Sequence, residues 1–480
     1  MRRTIILSML FGSILPVLHA ADLMDVYRQS LENDPTFKAA YSTFMAASES
    51  IPQARAGLLP QFGMSGQIGG SQTDVSAGLF NIKEGYNNRT WRLSATQAIF
   101  NYQAWAQVQQ AKASVKSAHA TFNDAAQNLI LRTAAAYLNV LYARDTLNFA
   151  EAKKRANKRQ LDQATQRFNV GLDAITSVYD AQSAYDQATA LVIASKNNEM
   201  NLNENLRKLT NHVYDQLAPL RNSSVPLISP EPNTPEEWIA AGIRQNYKLL
   251  AARYALQAAR ESIKVQNAGN WPVFSLLGNT VQTRNSGNGT DSTSGTINPI
   301  TKQLTKSASN FFIPTTQQTS NIAIAVNFPV FQGGLIESQT RQAQFDFQSS
   351  SEQMEKIYRD TVVDSRIAFN TIVDGISKIK ADRQSVLSQQ NTVESTDAQF
   401  LVGTRTMVDL VLAQQHLFEA QEQLAQDQYG YINSILNLKY LAGSLNTTDL
   451  QEINAWLAST RINSSPPKHA KKTAPIHPSM

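Results

Sequence analysis

Two periodicities divide the chain. Four segments alternate with period two, which sends successive side chains to opposite faces of a strand. In one, Trp91, Leu93, Ala95, Gln97 and Ile99 alternate with Arg92, Ser94, Thr96 and Ala98; Phe62, Met64, Gly66 and Ile68 form its partner. In another, Ile322, Ile324, Val326, Phe328 and Val330 alternate with Asn321, Ala323, Ala325, Asn327 and Pro329; Phe274, Leu276, Gly278 and Thr280 form the partner. The rest reads as helix. No Pro occurs from Gln61 to Ala218 or from Val330 to Ser465, and Gly171 is the only Gly between Asn101 and Asn211. The pattern predicts long helices over Ala104–Phe168 and Leu335–Phe400, each about 100 Å at ~1.5 Å per residue. Gly171 and Gly403 break them, and helices return over Leu172–Thr210 and Thr404–Ala442. Shorter opening helices are expected over Leu23–Arg55 and Glu236–Asn267.

The pattern occurs twice. Pro60-Gln61-Phe62 matches Pro272-Val273-Phe274, and Ala39-Ala40 matches Ala251-Ala252, both 212 positions on. Arg167-Phe168-Asn169-Val170-Gly171 matches Gln399-Phe400-Leu401-Val402-Gly403, and Leu206–Leu209 matches Leu438–Leu441, both 232 positions on. A longer loop between 281 and 320 accounts for the growing offset. Such self-similarity implies an internal duplication. The expected division is a signal peptide over 1–20, a first repeat over 21–211, a Pro-rich linker over 212–234, a second repeat over 235–443 and a C-terminal segment over 444–480. Arg2-Arg3, an apolar run from Ile5 to Leu18 and His19-Ala20 have the layout of a secretory signal. The tail from Ile462, with Pro466-Pro467 and three Lys, reads as disordered.

Charge and composition narrow the function. Of 480 residues, 43 are Lys or Arg and 38 Asp or Glu, and six of the basic residues lie in the acid-free terminal twenties. The body therefore holds 37 basic against 38 acidic residues, which offers no basic footprint for nucleic acid. The absence of Cys excludes disulfides, thiolate metal sites and an N-terminal lipidated Cys. The folded region has three scattered His, His119, His212 and His416, and no HExxH, GxSxG or P-loop. No catalytic residue, cofactor or metal site is expected, nor any enzymatic activity.

Alternating segments of about ten residues are the signature of transmembrane β-strands. Phe62, Trp91, Phe100, Trp271, Phe274, Phe328 and Phe331 near their ends suit an interfacial girdle. The loops at 71–89 and 283–319, rich in Ser, Thr, Asn and Gly, would face outward. Four strands cannot close a barrel, and an open edge cannot sit in lipid, so the membrane reading requires an oligomer. Two chains would give eight strands and three would give twelve. A soluble periplasmic coiled-coil scaffold or adaptor explains the helices but not the strands with aromatic ends.

The segments LLPQF, ATQAIF, LILRTAAAYLNVL, RQLDQATQRFNVGLDAIT and QFLVGTRTMVDL resemble the TolC family of outer-membrane channel-tunnels, the outer-membrane efflux proteins of Gram-negative bacteria. The resemblance runs over about residues 22–450. It implies a mainly α protein with a transmembrane β-barrel: a homotrimer with four strands per chain in one twelve-stranded barrel, set in outer-membrane lipid and continued by a periplasmic helical tunnel. It implies partners too, a periplasmic adaptor and an inner-membrane transporter of the RND or ABC type, and a role in drug efflux and type I protein secretion. Val170-Gly171-Leu172 and Val402-Gly403-Thr404 correspond to the tip turns that meet the adaptor; the plain alternative is a helical hairpin turn. Asp409 corresponds to an acidic ring at the entrance constriction, and Leu412 stands where the family often has a second Asp. The alternative for Asp409 is a carboxylate favoured at a helix N-terminus. Arg405, Thr176, Ser177 and Phe400 correspond to links holding the entrance shut. Ser177 stands where the family often has Asp and Phe400 where it often has Tyr, so an Arg405–Ser177 contact is expected to be weak. Arg405 as a solvated surface charge is the alternative.

Overall fold

The computed structural model describes residues 20–77, 80–221, 224–297, 300, 304–309 and 315–457. The signal segment before Ala20, the tail from Ile462 and parts of both strand-connecting loops lie outside them. The chain forms two compact units, one of Met1–Tyr41, Asn123–Tyr247 and Arg359–Met480, the other of Ser42–Phe122 and Lys248–Tyr358.

The elements run α1 (Leu23–Asn33), α2 (Pro35–Ser48), α3 (Ser50–Ala56), β1 (Gln61–Ala77), β2 (Phe80–Phe100), α4 (Tyr102–Asn169) and α5 (Ile175–Thr210). The second half runs α6 (Pro235–Gln245), α7 (Tyr247–Asn267), β3 (Val273–Ile297), β4 (Leu304–Ser309), β5 (Thr315–Asn327), α8 (Leu335–Leu401), α9 (Met407–Leu441) and α10 (Thr447–Asn454). The two longest helices hold 68 and 67 residues.

The opening helices depart from expectation: each is broken at an equivalent residue. Asp34 (ψ 116°) separates α1 from α2, and Asn246 (ψ 120°) separates α6 from α7. Pro35 drives Asp34 out of the helical region. The Asp34 carboxylate then accepts from Phe37 N at 3.1 Å and from Arg132 Nη2 at 2.7 Å. Asn246 has no following Pro; its Nδ2 donates to the Leu441 carbonyl at 2.9 Å. The return helices begin three residues later than expected, at Ile175 and Met407, because five residues, 170–174 and 402–406, form each turn.

In the helical unit the core gathers Leu23 and Val26, Leu129, Tyr137, Leu138 and Leu141, Leu206, Ile372 and Ile379, and Ile432 and Leu436. Tyr137 satisfies its buried hydroxyl by donating to Ala218 O at 2.7 Å. Further along α4, many of the buried residues are small, among them Ala150, Ala156 and Ala164, with Ala181, Ala184 and Ala188 on α5. Small side chains bring helix axes close together, and here Asn157 Nδ2 reaches the α5 backbone at Ala184 O, 2.9 Å away.

In the other unit, one antiparallel sheet runs β1-β2-β3, with β5 and β4 pairing different stretches of β3. The β2–β3 pairing joins the two halves of the chain. Register places Phe62 opposite Ala95, Ala95 opposite Gly278 and Gly278 opposite Ile322. One face therefore carries Phe62, Met64, Ile68, Trp91, Leu93, Leu276, Ile322, Ile324 and Val326, all exposed. The opposite face carries Gln61, Ser65, Arg92, Ser94, Asn279 and Asn321. Gly66 leaves room for the Trp91 ring, whose edge would lie 2.8 Å from a Cβ there. Three details differ from the alternation read above. A register shift between Ala98 and Phe100 brings Phe100, not Ile99, opposite Phe274. β5 ends at Asn327, before Phe328 and Val330, and β4 was not expected.

Candidate functional site at the helix reversals

Both long helices end in the same backbone motif. Gly171 (φ +75°) and Gly403 (φ +78°) adopt the left-handed conformation that Gly tolerates best. Gly171 N donates to Phe168 O and Leu172 N to Arg167 O, each at 2.9 Å. Gly403 N donates to Phe400 O at 3.0 Å and Thr404 N to Gln399 O at 2.9 Å. These are Schellman pairs, which satisfy the last helix carbonyls. The side chains at the bends point into solvent: Val170 is 70 % exposed, Leu172 67 % and Val402 75 %. Both turns thus hold apolar side chains outward.

A side-chain link spans each turn, six residues apart, with the donor on opposite sides. Arg167 Nε donates to Asp173 Oδ2 at 2.8 Å in the first turn. Arg405 Nε reaches Gln399 Oε1 at 3.3 Å in the second. The Arg167 guanidinium carbon also lies 5.2 Å from the centroid of the Phe400 ring. Phe400 is buried with Leu161, Ala164, Ala181, Met407 and Leu410. Sequence reasoning placed Phe400 but missed Arg167 and Asp173 as a pair. Their spacing carries no helical signal, since i,i+6 side chains meet only across a reversal.

The return helices start differently. In α9, Thr406 is the N-cap of a complete capping box: its hydroxyl accepts from Asp409 N, and Asp409 Oδ2 accepts from Thr406 N at 2.9 Å. The Thr406 backbone N–H, and then its hydroxyl, hold the Asp409 carboxyl below the usual carboxylate range. Arg405 Nη1 lies 3.8 Å from the other Asp409 oxygen. The α5 N-cap is Ala174, which has no side chain to offer. Thr176 is exposed there, and Ser177 N donates to Ala174 O at 3.1 Å.

The structure therefore brings Arg405 to Gln399 and Asp409; the expected Arg405–Ser177 contact is not formed within the protomer. The physical reason is proximity: Gln399, across the same turn, accepts from Arg405 Nε at 3.3 Å, and Asp409 lies only four residues further along the chain. On α9 the buried side takes Met407, Leu410 and Ala413. Arg405, Val408, Leu412 and His416 line the exposed side at helical spacing, with Asp409 half-buried among them.

A sheet apolar on one face, in a chain whose long helices reverse at exposed glycine turns, defines the class of outer-membrane channel proteins. The chain belongs to the outer membrane efflux protein family, which matches residues 26–212 and 238–444. It is 34 % identical to the outer membrane protein TolC of Escherichia coli over 456 residues, covering 95 % of this chain and 88 % of that protein. It is 27 % identical to the proteases secretion protein PrtF of Dickeya chrysanthemi over 466 residues, covering 96 % and 95 %. Its fold is similar to that of the CmeC outer membrane channel of Campylobacter jejuni, with a TM-score of 0.71 at 17 % identity, over 91 % of this chain and 90 % of that one.

Proposed function

We propose that the chain is one protomer of a homotrimeric exit duct of the outer membrane, serving tripartite efflux and type I secretion. The sheet carries this reading. Its apolar face is fully exposed on the protomer, and β1 and β5 each leave one edge unpaired among the described residues. Such a sheet is stable in lipid only when closed by further copies. Three copies of the four long strands make twelve. The relatives support the rest of the reading, since one is named for outer-membrane location and another for protease secretion.

In this assembly the duct performs no bond chemistry; work comes from an inner-membrane transporter of the RND or ABC type. A periplasmic adaptor meets the tip turns at Val170, Gly171, Leu172, Val402, Gly403 and Thr404. Asp409 and Leu412, repeated by threefold symmetry, form an acidic and an apolar ring at the periplasmic constriction. Carboxylates ringed at a pore favour cations. Thr176, Ser177, Phe400 and Arg405 belong to the joint that holds the constriction, and an outward shift of the α8–α9 pair widens it in the manner of an iris. With Leu412 in place of a second carboxylate, multivalent cations block the pore weakly.

Single-channel recording in a planar bilayer tests the proposal. A small, cation-preferring conductance that loses its preference in Asp409→Asn is expected. Folded protein that stays soluble without detergent and inserts no channels would overturn it and leave a periplasmic scaffold.

A further inference from the structure

The reversals are equivalent in backbone but not in how they are tied. We infer that Arg167, seated on the Phe400 ring and bonded to Asp173, latches the α4–α5 pair to the α8–α9 pair within each protomer and sets how readily the entrance widens. The inference rests on the duct reading and concerns its regulation.

One cation here joins three segments. Arg167 lies in the last turn of α4, Asp173 just before α5, and Phe400 in the last turn of α8. The Arg167 and Asp173 side chains are only 22 % and 20 % exposed, so solvent screens the pair incompletely. A guanidinium held over an aromatic face is attracted to it, more strongly when partly desolvated. Phe400 otherwise belongs to an apolar cluster with Leu161, Ala164, Ala181, Met407 and Leu410, which offers packing but no directional bond. Moving α8–α9 past α4–α5 must therefore slide the ring from beneath the cation.

The second repeat lacks the latch. Gln399 stands at the position of Arg167 and Arg405 at that of Asp173, so the link there is a single hydrogen bond of 3.3 Å with no ion pair. Phe168, the counterpart of Phe400, is 39 % exposed, whereas Phe400 is 3 % exposed. The next hydrogen bonds between the two helix pairs among the described residues are Tyr429 to Asp145 and Tyr142 to Glu422. They lie roughly six helical turns from Arg167. Near the tip, then, the latch is the directional tie, and the rest is apolar packing around Leu161, Met407 and Leu410.

Dwell-time analysis of single channels in planar bilayers tests the latch. Arg167→Gln removes the cation; Arg159→Gln removes one exposed charge from the same helix and serves as the control. The open-to-closed ratio is expected to rise roughly three- to thirty-fold in Arg167→Gln, with Arg159→Gln unchanged. Arg167→Lys, which keeps a cation over the ring, should restore most of the closed time. Asp173→Asn conserves volume and gives an independent reading should Arg167→Gln fail to assemble; a smaller rise is expected. Equal ratios in Arg167→Gln and Arg159→Gln, or no rise in Asp173→Asn, overturn the latch while the channel itself persists. Absence of any channel in the parent protein overturns the duct instead.

Discussion

Three left-handed glycines share one backbone motif and differ only in what surrounds them, which makes a controlled experiment. Gly443, just past α9, has φ +73°, close to the +75° of Gly171 and +78° of Gly403. Gly443 N donates to Tyr440 O at 2.9 Å and Ser444 N to Lys439 O at 3.0 Å, again a Schellman pair. A Cβ at Gly171 or Gly403 would meet nothing within 4 Å. At Gly443 it would fall well inside contact with the carbonyl of Gln245 and would meet Asn246 N at 2.8 Å. Those atoms form the joint between α6 and α7, where Asn246 Nδ2 bonds Leu441 O. Gly242 sits close against the same place, since its own Cβ would lie 3.0 Å from Leu441 O.

Alanine at a left-handed position costs about 1–2 kcal/mol for the backbone alone. That is the full cost expected for Gly171→Ala and Gly403→Ala. At Gly443 the clash is with backbone, which no rotamer relieves, and overpacking adds about 1–3 kcal/mol. Gly443→Ala should therefore destabilise by roughly 2–5 kcal/mol. An assembled membrane protein need not unfold reversibly, so the assay is the rate of thermal unfolding in detergent, followed by far-UV circular dichroism. Gly443→Ala should unfold fastest, with the other two similar to one another. Three equal rates would refute the reasoning, because the shared φ would then account for everything and the α6–α7 joint for nothing.

Two further perturbations address the sheet and an acid pair. Ile324→Arg on the apolar face should cost roughly 2–4 kcal/mol in lipid if the residue lies near the bilayer midplane, whereas Ala323→Arg on the other face should be nearly neutral; insertion yield into vesicles checks this, and equal yields would count against the assigned lipid face. Asp382 on α8 faces Asp427 on α9, which is bonded by Lys378 Nζ at 2.9 Å and Gln423 Nε2 at 3.0 Å. Burial, then Asp427, pushes Asp382 up to about 6 from its ordinary 3.8. Burial also raises Asp427, but hydrogen bonds from Gln423, Asp382 and Lys378 bring it below the usual range. A carboxyl raised in the folded state binds its proton more tightly there, so its ionisation destabilises as pH rises through about 6. Asp382→Asn should slow unfolding above that pH and lose its advantage by about pH 4; an advantage persisting at pH 4 would point to packing rather than titration.

What the sequence revealed follows from which signals are local. The long helices were legible because Pro is absent over such spans and Gly is rare, with Gly375 alone inside α8, and the reversals because a single Gly ends each. The strands were legible from alternation, although the bulge at Ile99 was not, since it depends on Phe100 meeting Phe274 across the sheet. The break at Asp34 carried a local sign in the following Pro35. The break at Asn246 carried none: it is stabilised by a carbonyl 195 residues away. Thr406 and Asp409 stand at capping-box spacing, a local signal that the sequence reading, which began the helix at Thr404, did not use. The partner chosen by Arg405 was not, because it depends on which acceptor the turn brings near. Arg167 and Asp173 failed to stand out for the same reason.

Duplication preserved the backbone of the reversals and let the side chains diverge. Thr406 and Asp409 cap α9, whereas the equivalent Ala174 and Ser177 leave the start of α5 without a side-chain cap. An uncapped first turn opens more readily than a capped one. Yet the turn before α5 carries the ion pair and supplies the cation over Phe400, whereas the turn before α9 carries no ion pair across it and supplies the buried ring rather than a cation. Each reversal is thus held at one point and loose at another: the first is tied to its neighbouring helix pair but frays at its own helix start, and the second is firm within itself but depends on the first for its tie. In the proposed opening, α8–α9 would move as a rigid pair once Phe400 leaves Arg167, because the capping box would keep that pair's own reversal intact.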